Sequence, residues 1–171
     1  MAASKLEDLS EGTFQPVLDD AEARERAESV ERLILCSGKI YTELAGSEYR
    51  DEAVDTAIAR IELLYPFPED RVREVIEGYP NLREVLWVQE EPKNMGAWTF
   101  VEPLLREISR GELPVLYVGK PPRPSPAQGS ANFHKQEHAA VVRSAFENVG
   151  QDFDEVQAVE ETQVRASAPS E

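Results

Sequence analysis

One cysteine, two histidines and two methionines in 171 residues leave little material for several kinds of chemistry. A single thiol, Cys36, cannot close an internal disulfide, as expected of a chain kept in a reducing compartment. Its neighbours in Leu33-Ile34-Leu35-Cys36 are apolar, so Cys36 is read as a buried structural thiol. A reactive one needs exposure and a neighbour that stabilises the thiolate. No run approaches the roughly 20 apolar residues that cross a bilayer, and the stretch from Met1 to Gly12 has no apolar signal core. The expectation is a cytoplasmic protein with no membrane partner. Positive charge is also scarce, with 18 Lys and Arg against 33 Asp and Glu and a net charge of −15. Nucleic acid rewards basic surfaces, so no nucleic-acid partner is expected.

The acidity is unevenly placed. Residues 1–31 hold nine acids and three bases, and residues 150–171 hold six acids and one base, while residues 32–149 are close to balance. Three regions follow: a linker segment over 1–31, one α/β domain over 32–149, and an acidic disordered tail over 150–171. Phe14 and Val17 are the points at which the linker segment is expected to dock. A chain of this length is sufficient for one domain with a sizeable core.

Within 32–149 a short apolar strand followed by an amphipathic helix recurs. Strands are predicted at Arg32–Ser37, Thr56–Leu64, Val85–Val88 and Val115–Val118. Helical faces are predicted around Ile40, Tyr41, Leu44 and Ala45, around Val72, Val75, Ile76 and Tyr79, around Trp98, Val101, Leu104, Leu105 and Ile108, and near Ala131–Asn148. Pro68 suits a helix start with Glu69 and Asp70 in the first turn, and Gly78 suits its end. Pro103 implies a kink or a later start. Lys120 to Pro126 reads as an extended connector. Strand–helix alternation of this kind implies a mostly parallel sheet with helices on both faces, a three-layer α/β/α sandwich.

Three places offer chemistry. His134, Glu137 and His138 match an H-x-x-E-H pattern, in which two histidines one helical turn apart share zinc and the glutamate is a general base. No third ligand is evident near them, so the pattern is read as a plain helix carrying two histidines and no metal site is expected, with a zinc hydrolase as the rival reading. Ser37-Gly38-Lys39 follows a strand and opens a helix, a geometry that either caps the helix or holds an anion. The spacing of a phosphate-binding P-loop or of G-x-G-x-x-G is absent. The loop Glu90-Glu91-Pro92-Lys93-Asn94-Met95-Gly96 follows the most apolar strand. Its paired acids suit either acid–base catalysis or packing and an interface. Arg60 and Glu62 share one strand face and are read as an ion pair.

The same loops carry a resemblance. Leu35-Cys36-Ser37-Gly38-Lys39-Ile40-Tyr41, Arg60-Ile61-Glu62-Leu63-Leu64-Tyr65-Pro66-Phe67-Pro68 and Trp87 through Trp98 resemble the C-terminal domain of 2-oxoglutarate dehydrogenase. Leu9 through Val17 fits the linker into that domain, and Val118 through Gly129 with His134 and Glu137 fits its end. The resemblance implies a transketolase C-terminal-like fold. It also implies a parent enzyme that decarboxylates 2-oxoglutarate on thiamine diphosphate with magnesium, in the tricarboxylic acid cycle. That enzyme passes the succinyl group to a lipoyl arm. The implied partners are the upstream thiamine-binding domains, a second copy in a homodimer, and the succinyltransferase and lipoamide dehydrogenase components. No catalytic or cofactor residue carries over to this chain, which is expected to be inactive alone, whether as a fragment or as one half of a split gene. The implied roles are dimer buttressing through Glu90, Glu91, Lys93, Asn94 and Met95, and effector binding. Relatives with an effector site carry a basic cluster after the P-x-P; here Glu69, Asp70 and Arg71 follow it, which leaves Ser37, Gly38, Lys39 and Arg71 as the anion-binding candidates. A free-standing module that senses an acyl-CoA or a nucleotide is the rival reading.

Overall fold

The structure is a computed structural model that describes residue 10 and residues 12–126 and 131–147. The elements in chain order are β1 (Val17–Leu18), α1 (Ala21–Arg24), β2 (Arg32–Cys36), α2 (Ile40–Ala45), α3 (Glu48–Glu52), β3 (Thr56–Ile61), α4 (Glu69–Glu77), β4 (Glu84–Pro92), α5 (Trp98–Ile108), β5 (Val115–Lys120) and α6 (Ala131–Glu147). The five strands form one sheet in the order β1-β3-β2-β4-β5. All neighbours are parallel except β1, which runs antiparallel to β3 at the edge.

Strand parity divides the core in two. Leu33, Leu35, Ala57, Ala59, Val85 and Trp87 face one side, where Val72 and Val75 of α4 and Val101 and Leu105 of α5 cover them. Ile34, Cys36, Ile58, Leu86 and Val88 face the other, under Ile40 and Leu44 of α2 and Val141 and Ala145 of α6. Central strands covered on both faces have no reason to alternate with polar residues, which is why β2 is apolar after Arg32. The expected three-layer α/β/α sandwich is the observed one.

Several expectations are corrected. Phe14 is 69% exposed and does not dock, whereas Val17 is buried against the sheet as expected. The predicted second strand stops at Ile61, and its neighbour β1 was not predicted. The segment after β1 is pinned by its charges. Asp20 accepts hydrogen bonds from the backbone N–H of Ala23 at 3.0 Å and of Ile58 at 3.0 Å, and pairs with Arg50 at 2.6 Å. Helix α5 begins at Trp98 and runs through Pro103, so the start is not delayed. Proline there forgoes one hydrogen bond to the preceding turn, and the buried face of Trp98, Val101, Leu105 and Ile108 outweighs it. Strand β4 extends to Pro92, so Glu90 and Glu91 are strand residues rather than loop residues. The β4–β5 register shifts between Val88 and Pro92, and Lys120, predicted to open a connector, is the strand partner of Pro92. Gly78 ends α4 as expected. The segment 150–171 lies outside the described residues.

One buried ion pair ties the two halves of the chain together. Arg32 donates to Glu84 at 2.7 Å and to the carbonyls of Ala145 and Phe146 at 3.0 and 2.7 Å. A cation there satisfies carbonyls of the last turn of α6 and complements the helix dipole.

Candidate functional site

Strands β2 and β4 are neighbours, yet the helices that follow them leave to opposite faces, α2 to one and α5 to the other. Diverging connections of this kind open a crevice at the carboxyl ends of the strands, the usual ligand position in an open α/β sheet. Ser37 and Gly38 form one wall; Gln89, Glu91, Gly96 and Ala97 form the other, with Leu64 and Phe100 at the rim. The enclosed volume is about 480 Å³.

Gln89 organises that second wall. It is buried, and its side-chain oxygen accepts from the indole N–H of Trp87 at 2.9 Å and from the backbone N–H of Trp98 at 3.0 Å. Its amide nitrogen donates to the carbonyl of Met95 at 2.7 Å and to those of Glu91 and Pro92 at 3.2 Å. One side chain thus satisfies both ends of the turn between β4 and α5. Gly96 takes a φ of +67, and a Cβ on it would lie 2.9 Å from the Gln89 amide nitrogen, so both backbone conformation and space call for glycine. Gln89 was missed in the sequence reading, although a signal existed. It shares parity with Val85 and Trp87, so on a strand it must point into the apolar face, where a polar side chain needs partners.

The remaining interface candidates surround this hub. Glu91 and Asn94 are exposed, and Glu90, Lys93 and Met95 are half-buried. Asn94 exchanges two hydrogen bonds with the backbone of Arg123, at 2.9 and 3.0 Å, which fixes the turn against the segment after β5. Trp98 is buried beside Tyr117 with ring centroids 5.2 Å apart, so it belongs to the core.

The anion candidates do not converge. Ser37 and Gly38 line the crevice, and Gly38 makes the expected tight turn with a φ of +74. The N-cap position is taken by Lys39 without a side-chain cap, so Ser37 does not cap α2. Lys39 lines a second cavity of about 430 Å³ together with Glu43, Tyr49, His134 and His138. Its ammonium lies 2.5 Å from Glu43 and 3.4 Å from Glu90. The hydrogen bond to Glu43 and the charge of Glu90 hold Lys39 above the usual lysine value. Arg71 lines neither cavity and pairs with Glu74 one turn along α4.

The H-x-x-E-H pattern is taken apart by its partners. Glu137 is held by the guanidinium of Arg123. The rings of His134 and His138 stack at 5.8 Å, and His138 contacts Glu43. A glutamate neutralised by arginine is not placed as the general base of a zinc protease. Arg60 and Glu62 form the expected ion pair, with the guanidinium 4.5 Å over the Tyr41 ring.

Residues 3–146 match the family described as 2-oxoglutarate dehydrogenase C-terminal. The chain is 45% identical over 148 residues to the 2-oxoglutarate dehydrogenase E1 component of an Exiguobacterium species, covering 85% of this chain and 16% of that protein. It is 43% identical over 147 residues to that of a Geobacillus species, covering 85% of this chain and 15% of the relative. It is 41% identical over 148 residues to that of Azotobacter vinelandii, with 85% and 16% covered. The chain therefore spans only 15–16% of the length of these relatives. Among solved structures, a split gene transketolase described as an inactive beta4 tetramer superposes with a TM-score of 0.50 at 17% identity, over 78% of this chain and 43% of that one. At that identity the likeness concerns the fold alone.

Proposed function

The chain belongs to the 2-oxoglutarate dehydrogenase C-terminal family, and from that premise we propose that it is a non-catalytic domain which completes a thiamine-dependent 2-oxoglutarate dehydrogenase. The observation that carries this reading is coverage: 85% of the chain aligns with E1 components of which it represents 16%. In this proposal the rest of the enzyme, on the same or another polypeptide, decarboxylates 2-oxoglutarate and delivers succinyl to a lipoyl arm. The succinyltransferase and lipoamide dehydrogenase components are then partners of the assembled enzyme, in the cytoplasm.

Two features of the crevice support placing the diphosphate of the cofactor outside this domain. Among the described residues that line it, Glu91 is the one charged side chain, and it would repel a diphosphate. The Gln89 amide, otherwise a suitable donor, is already committed to three carbonyls. The residues present do not fit the cofactor, and no catalytic step is assigned to them.

The role left to the domain is to hold its neighbours, the thiamine-binding domains and a second copy of the enzyme. Support comes from the apolar rim of the crevice. Tyr65 is 81% exposed and Phe100 40% exposed, and the Phe100 ring packs on Tyr65 at 6.4 Å and on Phe67 at 6.2 Å. Exposed aromatics clustered beside polar groups are the composition of a docking surface. Glu90, Glu91, Lys93 and Asn94 would form its polar border, with Met95 as an apolar contact among them. An effector role for Ser37, Gly38, Lys39 and Arg71 has weaker support, because Lys39 and Arg71 are each neutralised by glutamate and lie apart.

Activity of the isolated chain tests the reading. With 2-oxoglutarate, thiamine diphosphate, magnesium and ferricyanide, the chain should reduce no more ferricyanide than a heat-killed control. Turnover above that control would contradict it.

A further inference from the structure

The cluster beside the crevice is built from three elements far apart in sequence. Glu43 comes from α2, Glu90 from the end of β4 and His138 from α6, and one ligand atom of each lies within 4.8 Å of the other two. His138 Nε2 contacts the Glu43 carboxylate and lies 3.7 Å from Glu90. All three side chains are half-buried. The other ring nitrogen of His138 is buried and has no hydrogen-bond partner among the described residues.

We infer that Glu43, Glu90 and His138 form a site for a divalent transition-metal ion, of the class that zinc and cobalt represent. One imidazole nitrogen and two carboxylates are a donor set that suits such ions and distinguishes them from magnesium and calcium, which prefer oxygen alone. A tetrahedral ion with ligands at about 2.0–2.2 Å keeps its donors roughly 3.3 Å apart. The donors lie within 4.8 Å of one another, so an ion would part His138 from Glu43 and draw Glu90 inward, adjustments within reach of side-chain rotation. The adjoining cavity of about 430 Å³ leaves room for water, and His134, one turn earlier on α6, lines it as a further donor.

Lys39 is the competitor for this place. Its ammonium supplies the counter-charge that two converging carboxylates require, but its side chain is 67% exposed, so solvent would take it up when an ion displaces it. A bound divalent ion would replace that mobile charge by direct ligation and clamp α6 to α2 and β4. The inference rests on geometry and donor chemistry, independently of the parent enzyme's reaction.

The test uses the full 171-residue chain, stripped with a chelator and titrated with zinc or cobalt chloride, with magnesium and calcium as controls for the net charge of −15. Zinc should raise the melting temperature with a stoichiometry of one, and cobalt should give visible d–d absorption. His138→Ala and Glu90→Gln should each weaken zinc binding at least about tenfold, as loss of a direct ligand requires. Lys39→Met should leave it unchanged or tighter. Far-UV circular dichroism confirms that each variant is folded, and Glu90→Gln remains decisive if His138→Ala is not. Equal effects of zinc and magnesium, or unchanged zinc affinity in a folded ligand variant, would overturn the site.

Discussion

Replacing Gln89 by leucine keeps the volume of the side chain and removes every hydrogen bond it makes. The indole N–H of Trp87 and the backbone N–H of Trp98 would then be buried without an acceptor. The carbonyls of Met95, Pro92 and Glu91 would each lose one donor, while that of Glu91 keeps the Tyr117 hydroxyl and that of Pro92 keeps the Met95 N–H. An unsatisfied buried group costs about 1–3 kcal/mol, whereas carbonyls on a partly exposed turn recover water. The two buried donors together predict a loss of about 2–6 kcal/mol. For a chain of this size that lowers the melting temperature by roughly 4–24 °C. Thermal denaturation followed by circular dichroism reads it directly, and a drop below about 2 °C would refute the assignment of Gln89 as the organiser of the turn. Gln89→Glu adds a sign. One carboxyl oxygen still accepts, while the other faces carbonyls and is tolerated only when protonated. Its titration therefore lies above the unfolded carboxyl value. The variant should keep its stability below that value and lose it as pH rises, so it should melt higher at pH 5 than at pH 8.

Arg32→Met leaves Glu84 buried and unpaired and should destabilise the chain by about 3–5 kcal/mol in urea denaturation; Arg32→Met with Glu84→Leu should recover most of the loss, and a neutral single variant would contradict this. Burial pushes the Cys36 thiol from 9.0 up to about 12, so its contribution is complete below pH 9 and declines above it by about 1.4 kcal/mol per unit. Thiolate absorbance at pH 10 should appear only on unfolding, and its presence in the folded chain would refute the burial. Trp98→Ala removes a core side chain and should cost about 3–5 kcal/mol, read as a lower melting temperature of the chain alone. An unchanged melting temperature would assign Trp98 to an interface instead.

The long amphipathic helices and the four parallel strands were legible because their apolar spacing is local. Val72, Val75 and Ile76, or Trp98, Val101 and Leu105, announce a buried face without knowledge of what covers it. The two-residue strand β1 was not legible, since it exists only through pairing of Val17 with Ile61 and of Leu18 with Arg60. The reach of β4 through Glu90 to Pro92 was hidden for the same reason: two acids and a proline look like a loop until Lys120 pairs with Pro92 across a register shift. At the site, Ser37, Gly38 and Lys39 are adjacent in sequence, yet the Lys39 side chain leaves the crevice for Glu43 and Glu90. The cluster of Glu43, Glu90 and His138 draws on α2, β4 and α6, and periodicity carries no information about such a meeting. The H-x-x-E-H pattern, read as a plain helix and not as a zinc site, is local in sequence, yet its spacing said nothing of Arg123, which claims Glu137.

Reconstitution tests the central claim most directly. The thiamine-binding portion of a 2-oxoglutarate dehydrogenase, produced without its C-terminal domain, is assayed for ferricyanide reduction alone and after mixing with this chain. The account predicts low activity for that portion, none for the chain, and a saturable rise on mixing that accompanies a complex on size-exclusion chromatography. Full activity of the portion alone, with no complex formed, would contradict it.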